Sequence, residues 1–243
     1  MGISDYFSGL GYFLTHLTVT PQPTSITELI RLLSRYAEWS RVSASVLNVN
    51  TPTVVQVLRD VTSYRFSLAA SVSPGKGEGQ EDVREERIKV LENVWSPPLI
   101  YPTPVQRAHA ESGISPTESS AELFGTPWGH CGETIAFASL YKTIHMGHSI
   151  GTLALAVKPM TSFIPGTATV PVQTIETLWH LNDVVEVLRV AGAMRPMCLN
   201  CLYLMNSAGG NAEDYAVTFC APPRRSADNC RATSESKCSG VER

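Results

Sequence analysis

Residues 151–160 read GTLALAVKPM, an apolar run bounded by Gly151 and Pro159. So short a run, punctuated by glycine and proline, predicts a buried strand. A buried strand needs covering layers, and the neighbouring segments offer them. HCGETIAFASLYKTIHM, from His130, reads as a buried helix. VQTIETLWHLNDVVEVLRVAG reads as a helix ending near Gly192, and PMCLNCLYLMNS as another stopped by AGGN. DYAVTFCAPP reads as a strand closed by Pro222. Helix and strand alternate, so the C-terminal half is expected to be an α/β layered fold.

The N-terminal half reads as mainly helical. A short buried helix is expected over residues 5–19. TSITELIRLLSRYAEWSRVSASVL carries Ser25 and, three residues on, Glu28, a capping-box pattern, followed by apolar residues at helical spacing. TPTVVQVLRDVTSYRFSLAASV places Pro52 in a first turn and is expected to be helical to about Tyr64. Residues 73–82 read as a glycine-rich linker, and REERIKVLENVW as a short amphipathic helix. The resulting division is an N-terminal helical region at 1–72, a linker at 73–82, an α/β domain at 83–222 and a disordered tail at 223–243.

Composition narrows the function. With 243 residues the chain can build one large core, or one core with an appended module. Its formal net charge of −3 argues against gripping nucleic acid through bulk positive charge, though not against a local basic groove. No basic residue precedes Arg31, so a secretory n-region is missing, and Tyr6 stands where a myristoylation signal has Ser or Thr. No apolar stretch is long enough for a membrane span. An intracellular, reducing compartment is expected, where six cysteines are thiols or metal ligands rather than a disulfide framework.

Two of these cysteines, Cys198 and Cys201, form a CxxC at the start of an expected helix. Such a pair can be a redox couple, half of a closed zinc site or half of a catalytic one. Cys131 opens another expected helix upstream, with Glu133 two residues on. Together Cys131, Cys198 and Cys201 offer three thiolates and leave a fourth zinc position for water, the catalytic arrangement. Glu133 would then move protons beside that water. Helix starts favour thiolates through the positive end of the helix dipole. A closed site completed by Cys220 is the structural alternative, and a redox pair lacks its usual context.

CGE at the head of a helix, then a strand, then CLNC at the head of another helix resembles the zinc-dependent cytidine deaminase-like superfamily. Its signature is His or Cys, any residue, Glu, and later Pro-Cys-x-x-Cys. The likeness covers residues 125–220 and leans toward its divergent toxin-like and fungal nucleic-acid deaminases. It implies a three-layer α-β-α sheet, Zn2+ held by Cys131, Cys198 and Cys201, and Glu133 as proton carrier. The implied reaction is hydrolytic deamination of cytosine, less readily adenine, in single- or double-stranded nucleic acid. Met197 stands between Pro196 and Cys198, where the family has Pro next to Cys. The interval from Glu133 to Cys198 is long, so residues 160–192 would be an insertion. SYRFSLAASV and PLIYPTPVQRAHA are the candidates for the first two strands of the family's sheet.

Other readings stay open. His109-Ala110-Glu111 also fits the first motif, but a Pro-broken segment follows it, so Cys131 and Glu133 are preferred and His109 becomes a candidate substrate contact. Trp128, Trp179 and Tyr203 are candidate base-stacking rings, or core aromatics. Lys142, Lys158 and Arg195 are candidate phosphate contacts, or solvated charges. His145 and His148 suit a helix C-terminus, and His180 a helix face. Deamination of a free nucleoside or nucleotide is one rival function. A zinc-stabilised, non-catalytic module that docks a protein partner through the N-terminal helices is another.

Overall fold

A computed structural model of the chain describes residues 5–17, 23–73, 79–94, 128–141, 148–160, 172–207 and 211–215. Helix α1 (Tyr6–Leu17) comes first. Helix α2 (Ile26–Leu47) follows Ser25, whose side chain accepts from the Glu28 N–H while Glu28 reaches back to the cap, so the capping box forms as read. Asn48 ends α2 in the left-handed region, at φ 52°.

Strands β1 (Val54–Asp60) and β2 (Phe66–Ala70) pair antiparallel. Helix α3 (Gly79–Glu92) leads toward α4 (Gly132–Leu140) and then β3 (Ser149–Ala156). A 3-10 turn at Lys158–Met160, α5 (Val172–Thr177) and α6 (Leu181–Val190) lead to β4 (Met194–Arg195), α7 (Leu199–Ser207) and β5 (Asn211–Asp214).

The sheet runs β2-β1-β3-β4, antiparallel throughout, and β5 pairs parallel with β3. β4 and β5 each take one end of β3: Ala154 and Leu155 face β4, and Ser149 to Thr152 face β5.

Side-chain alternation divides the core. Val55, Val57, Leu153 and Leu155 pack with Leu29, Ile30 and Leu33 of α2. Leu58, Ala69 and Ile150 pack with Ile135, Ala136 and Phe137 of α4. Helices therefore cover both faces, as the GTLALAVKPM run requires. Each fully buried Leu or Ile contributes roughly 1.5–3 kcal/mol relative to exposure.

Three expectations are corrected. The segment from Pro52 to Tyr64 is not helical: Val54, Val55 and Val57 are β-branched, and β1 is buried on both faces between β2 and β3. A continuous short apolar run carries no period that separates strand from helix, and the sheet decides it. Residues 1–72 are consequently no separate helical region, because β1 and β2 join the sheet of β3. The linker is shorter than 73–82, since α3 starts at Gly79.

Residues 172–190 also form two helices rather than one. The break falls at Leu178–His180, and His180 is the N-cap residue of α6. SYRFSLAASV contains β2, whereas PLIYPTPVQRAHA, His109, Lys142, His145, Cys220 and the tail at 223–243 lie outside the described residues.

Candidate metal centre

Two helix starts converge. Cys131 is the N-cap residue of α4, with extended backbone at φ −74° and ψ 143°, and its side chain makes no capping bond. Its carbonyl accepts from the Thr134 N–H, leaving the sulfur available for other contacts. Cys198 stands just before α7, and its carbonyl accepts the Leu202 N–H at 3.0 Å. Cys201, three residues on, lies on the same helix face.

The three sulfurs lie within 4.8 Å of one another, and Cys131 Sγ is 3.4 Å from Cys198 Sγ. Two sulfurs on one tetrahedral zinc, each about 2.3 Å from it, sit about 3.8 Å apart. The cluster has the span and donor chemistry of a metal site. Cys131 and Cys201 are buried, and Cys198 is half-buried.

The electrostatics of the three thiols follow from that packing. Sulfur hydrogen bonding to Cys198 pushes the Cys131 thiol well above its ordinary range, with burial and the nearby Glu133 charge adding to the rise. Hydrogen bonding to Cys131 and Cys198, with burial, does the same to Cys201. A metal entering here displaces protons, so its apparent affinity rises with pH. Glu133 lies in the first turn of α4 and is only 2% exposed.

Close packing fixes the Cys131 turn. A Cβ at Gly132 would meet Gln56 Oε1 and come within 2.9 Å and 3.0 Å of the backbone carbons of Ala70 and Ala69. Glycine therefore lets α4 start directly on β1 and β2. Gly129 adopts φ +85°, and a Cβ there would lie 2.6 Å from Arg84 O. The His130 carbonyl accepts the Val72 N–H at 2.9 Å, tying the turn to the end of β2.

Trp128 is buried in the cluster that contains Cys131 and Cys201, and its Nε1 has no hydrogen-bond partner among the described residues. The ring read as a stacking surface is a core residue. Tyr203 is half-buried in the same cluster, while Trp179 is exposed beneath the Arg31 guanidinium. His148, the residue before β3, contacts the Asp60 carboxylate at 2.9 Å, at the end of β1 where Asp60 pairs with Ile150.

Arg195 is exposed and lines a cavity with Arg41, Lys158, Thr51 and Thr53. Sequence reading missed Arg41, the two threonines and Gln56. Gln56 is 5% exposed, with an Oε1 that has no partner among the described residues. Its signal was a lone amide inside the apolar run VVQVL.

No family model matches the sequence, and neither a curated protein nor a solved structure does. Among the described residues no helix is long and apolar enough to cross a membrane.

Proposed function

We propose that the chain is a zinc-dependent hydrolase that removes the exocyclic amino group of a nucleobase, cytosine before adenine. One observation carries the reading: the sulfurs of Cys131, Cys198 and Cys201, far apart in sequence, lie within 4.8 Å of one another, with Glu133 two residues from the first. A redox pair would need Cys198 and Cys201 alone, and the third sulfur argues for a metal.

Topology supports the family likeness. The thiol-bearing helices α4 and α7 flank β3 in chain order, and α7 leads into β5, which runs parallel to β3. Helices on both faces suit the three-layer sheet that the likeness implies. Three unbridged thiols in contact suit a reducing, intracellular compartment.

Zinc, when bound, supplies a Lewis acid that brings a coordinated water's pKa to about 7. The chain's own contribution is Glu133. Its carboxylate takes one proton from the attacking water and gives it to the ring nitrogen, then takes the second from the hydroxyl now on the carbon and gives it to the departing amine. The carbon–oxygen bond forms, the carbon–nitrogen bond breaks, and cytosine plus water give uracil plus ammonia. Burial of Glu133 keeps bulk water from competing for those protons.

The test is metal analysis together with uracil scoring on single-stranded DNA, double-stranded DNA, RNA and free cytidine. Glu133→Ala should keep the metal and lose turnover by at least about 100-fold. Unchanged turnover would refute Glu133's role.

Burial also favours a second reading. Cys131, Cys201 and Glu133 are 7%, 1% and 2% exposed, which suits a metal that holds the fold without meeting a substrate. That reading expects metal-dependent stability and no uracil with any substrate.

A further inference from the structure

A cavity of about 550 Å3 opens at one end of the sheet, within the size range of small-ligand sites. Its floor is apolar, from Pro52, Val54, Ala156, Val157 and Pro159, and Thr51 and Thr53 add hydroxyls. Three cations stand around it: Arg41 from α2, Lys158 from the turn after β3, and Arg195 from β4. They come from three separate segments of a chain whose net charge is −3, so overall basicity does not account for their meeting.

None of the three cations takes part in an ion pair among the described residues. Arg41 Nε is buried and has no hydrogen-bond partner there either. Burying a guanidinium nitrogen without a partner is costly, and an anion in the cavity would relieve that cost.

The cavity adjoins the thiols along two routes. Arg195 is three residues before Cys198, so their Cα atoms lie at most about 11 Å apart. Thr53 Oγ1 is 3.1 Å from Ser71 Oγ, and the next residue, Val72, bonds the carbonyl of His130, the neighbour of Cys131. Cationic wall and metal ligands thus share one end of the sheet.

We infer that this cavity binds the phosphate of a nucleotide whose base enters the cysteine site, with Arg41, Lys158 and Arg195 as its charge partners. The inference rests on the deaminase reading for the base and names the substrate class: a phosphate ester, free or within a strand, rather than an unphosphorylated nucleoside.

The experiment uses the full zinc-loaded chain, with Lys158→Gln, Arg195→Gln and the double variant. Lys158 and Arg195 are exposed, so these changes leave the core intact, and a melting curve checks that they do. Calorimetry measures cytidine 5′-monophosphate, cytidine, inorganic phosphate and an eight-residue oligodeoxycytidylate. The wild type should bind the monophosphate at least about tenfold more tightly than cytidine. Inorganic phosphate should compete with it, and the double variant should bring the ratio near one. An oligonucleotide that binds tighter still, with affinity falling as salt rises, identifies a strand phosphate; equal affinity identifies a free nucleotide. Equal binding of monophosphate and cytidine by the wild type, or a preference that survives in the double variant, overturns the inference. Phosphate preference lost in the double variant without uracil from any substrate sinks the deaminase reading and keeps the cavity. Uracil from cytidine without phosphate preference does the reverse.

Discussion

The Arg87 guanidinium, with no exposed surface, meets the Asp5 carboxylate at 2.7 Å, joining α3 to the segment that opens α1. Arg87 Nη2 also donates to Ser8 Oγ at 2.9 Å, and Nη1 lies 3.4 Å and 3.5 Å from the carbonyls of Gly129 and His130. One buried cation thus links the N-terminal helix to the turn that carries Cys131. Removing one partner of a buried pair strands the other, at a cost of about 3–5 kcal/mol. Arg87→Ala should destabilise by that order in denaturant unfolding and weaken metal binding, because the Cys131 turn loses its brace. Asp5→Asn should cost less, since the amide still accepts a hydrogen bond. A double-mutant cycle measures the coupling, and additive losses would show that the two groups act independently.

The same pair sets an acid limb. Burial alone would raise the Asp5 carboxyl, but the Arg87 charge, with hydrogen bonds from the Ser8 N–H and hydroxyl, outweighs it and holds Asp5 below its ordinary 3.8. A carboxyl depressed on folding stabilises above its unfolded value and loses that contribution as pH falls through the folded one. Wild-type stability from this group should therefore be complete at pH 5–7 and decline below about pH 3.8. Asp5→Asn should be closest to wild type at the acid end. Urea midpoints at pH 7, 5 and 3 measure it, and a constant difference across that range would contradict the depressed carboxyl.

Gly132 is where α4 sits on the sheet, so a single methyl there should be felt at the thiols. The added Cβ meets Gln56 Oε1, which can move, and the backbone carbons of Ala69 and Ala70, which cannot. Gly132→Ala should cost about 1–3 kcal/mol, the usual range for overpacking, and reduce metal occupancy by shifting Cys131. Gln56→Ala should not rescue it, since the backbone clash remains. Full stability and full metal content in Gly132→Ala would show that the helix start has slack.

These sites differ in how far the sequence shows them. The capping box of α2 and the buried strand β3 rest on local patterns, Ser25 with Glu28 and a Gly-to-Pro apolar run, and both were readable directly. The thiol cluster was readable because the CxxC spacing and Cys131-x-Glu133 each mark a helix start. Strand β1 was not, because VVQVL has the same apolar density as a helix interior, and only its pairing with Phe66–Ala70 and Ile150–Ala156 reveals the sheet. The cavity was legible only through Lys158 and Arg195 as isolated charges. Its third cation comes from α2, and nothing local to Arg41 announces residues more than a hundred positions away.

Metal removal separates the two half-sites of the cluster. Cys201 is fully buried and Cys198 half-buried, so Ser at the two positions should differ although both remove a thiolate. Cys198→Ser should lose the metal and lower stability by the binding energy coupled to folding. Cys201→Ser should lose the metal as well and cost a further 1–3 kcal/mol or so, since its hydroxyl would be buried within an apolar cluster. Metal content by atomic emission and melting with and without chelator read both effects. The wild type should carry about one metal per chain, and chelation should bring its melting point down to that of metal-free Cys198→Ser. A wild type that contains no metal after growth with zinc, and whose melting point chelator leaves unchanged, would return the three sulfurs to the role of core thiols.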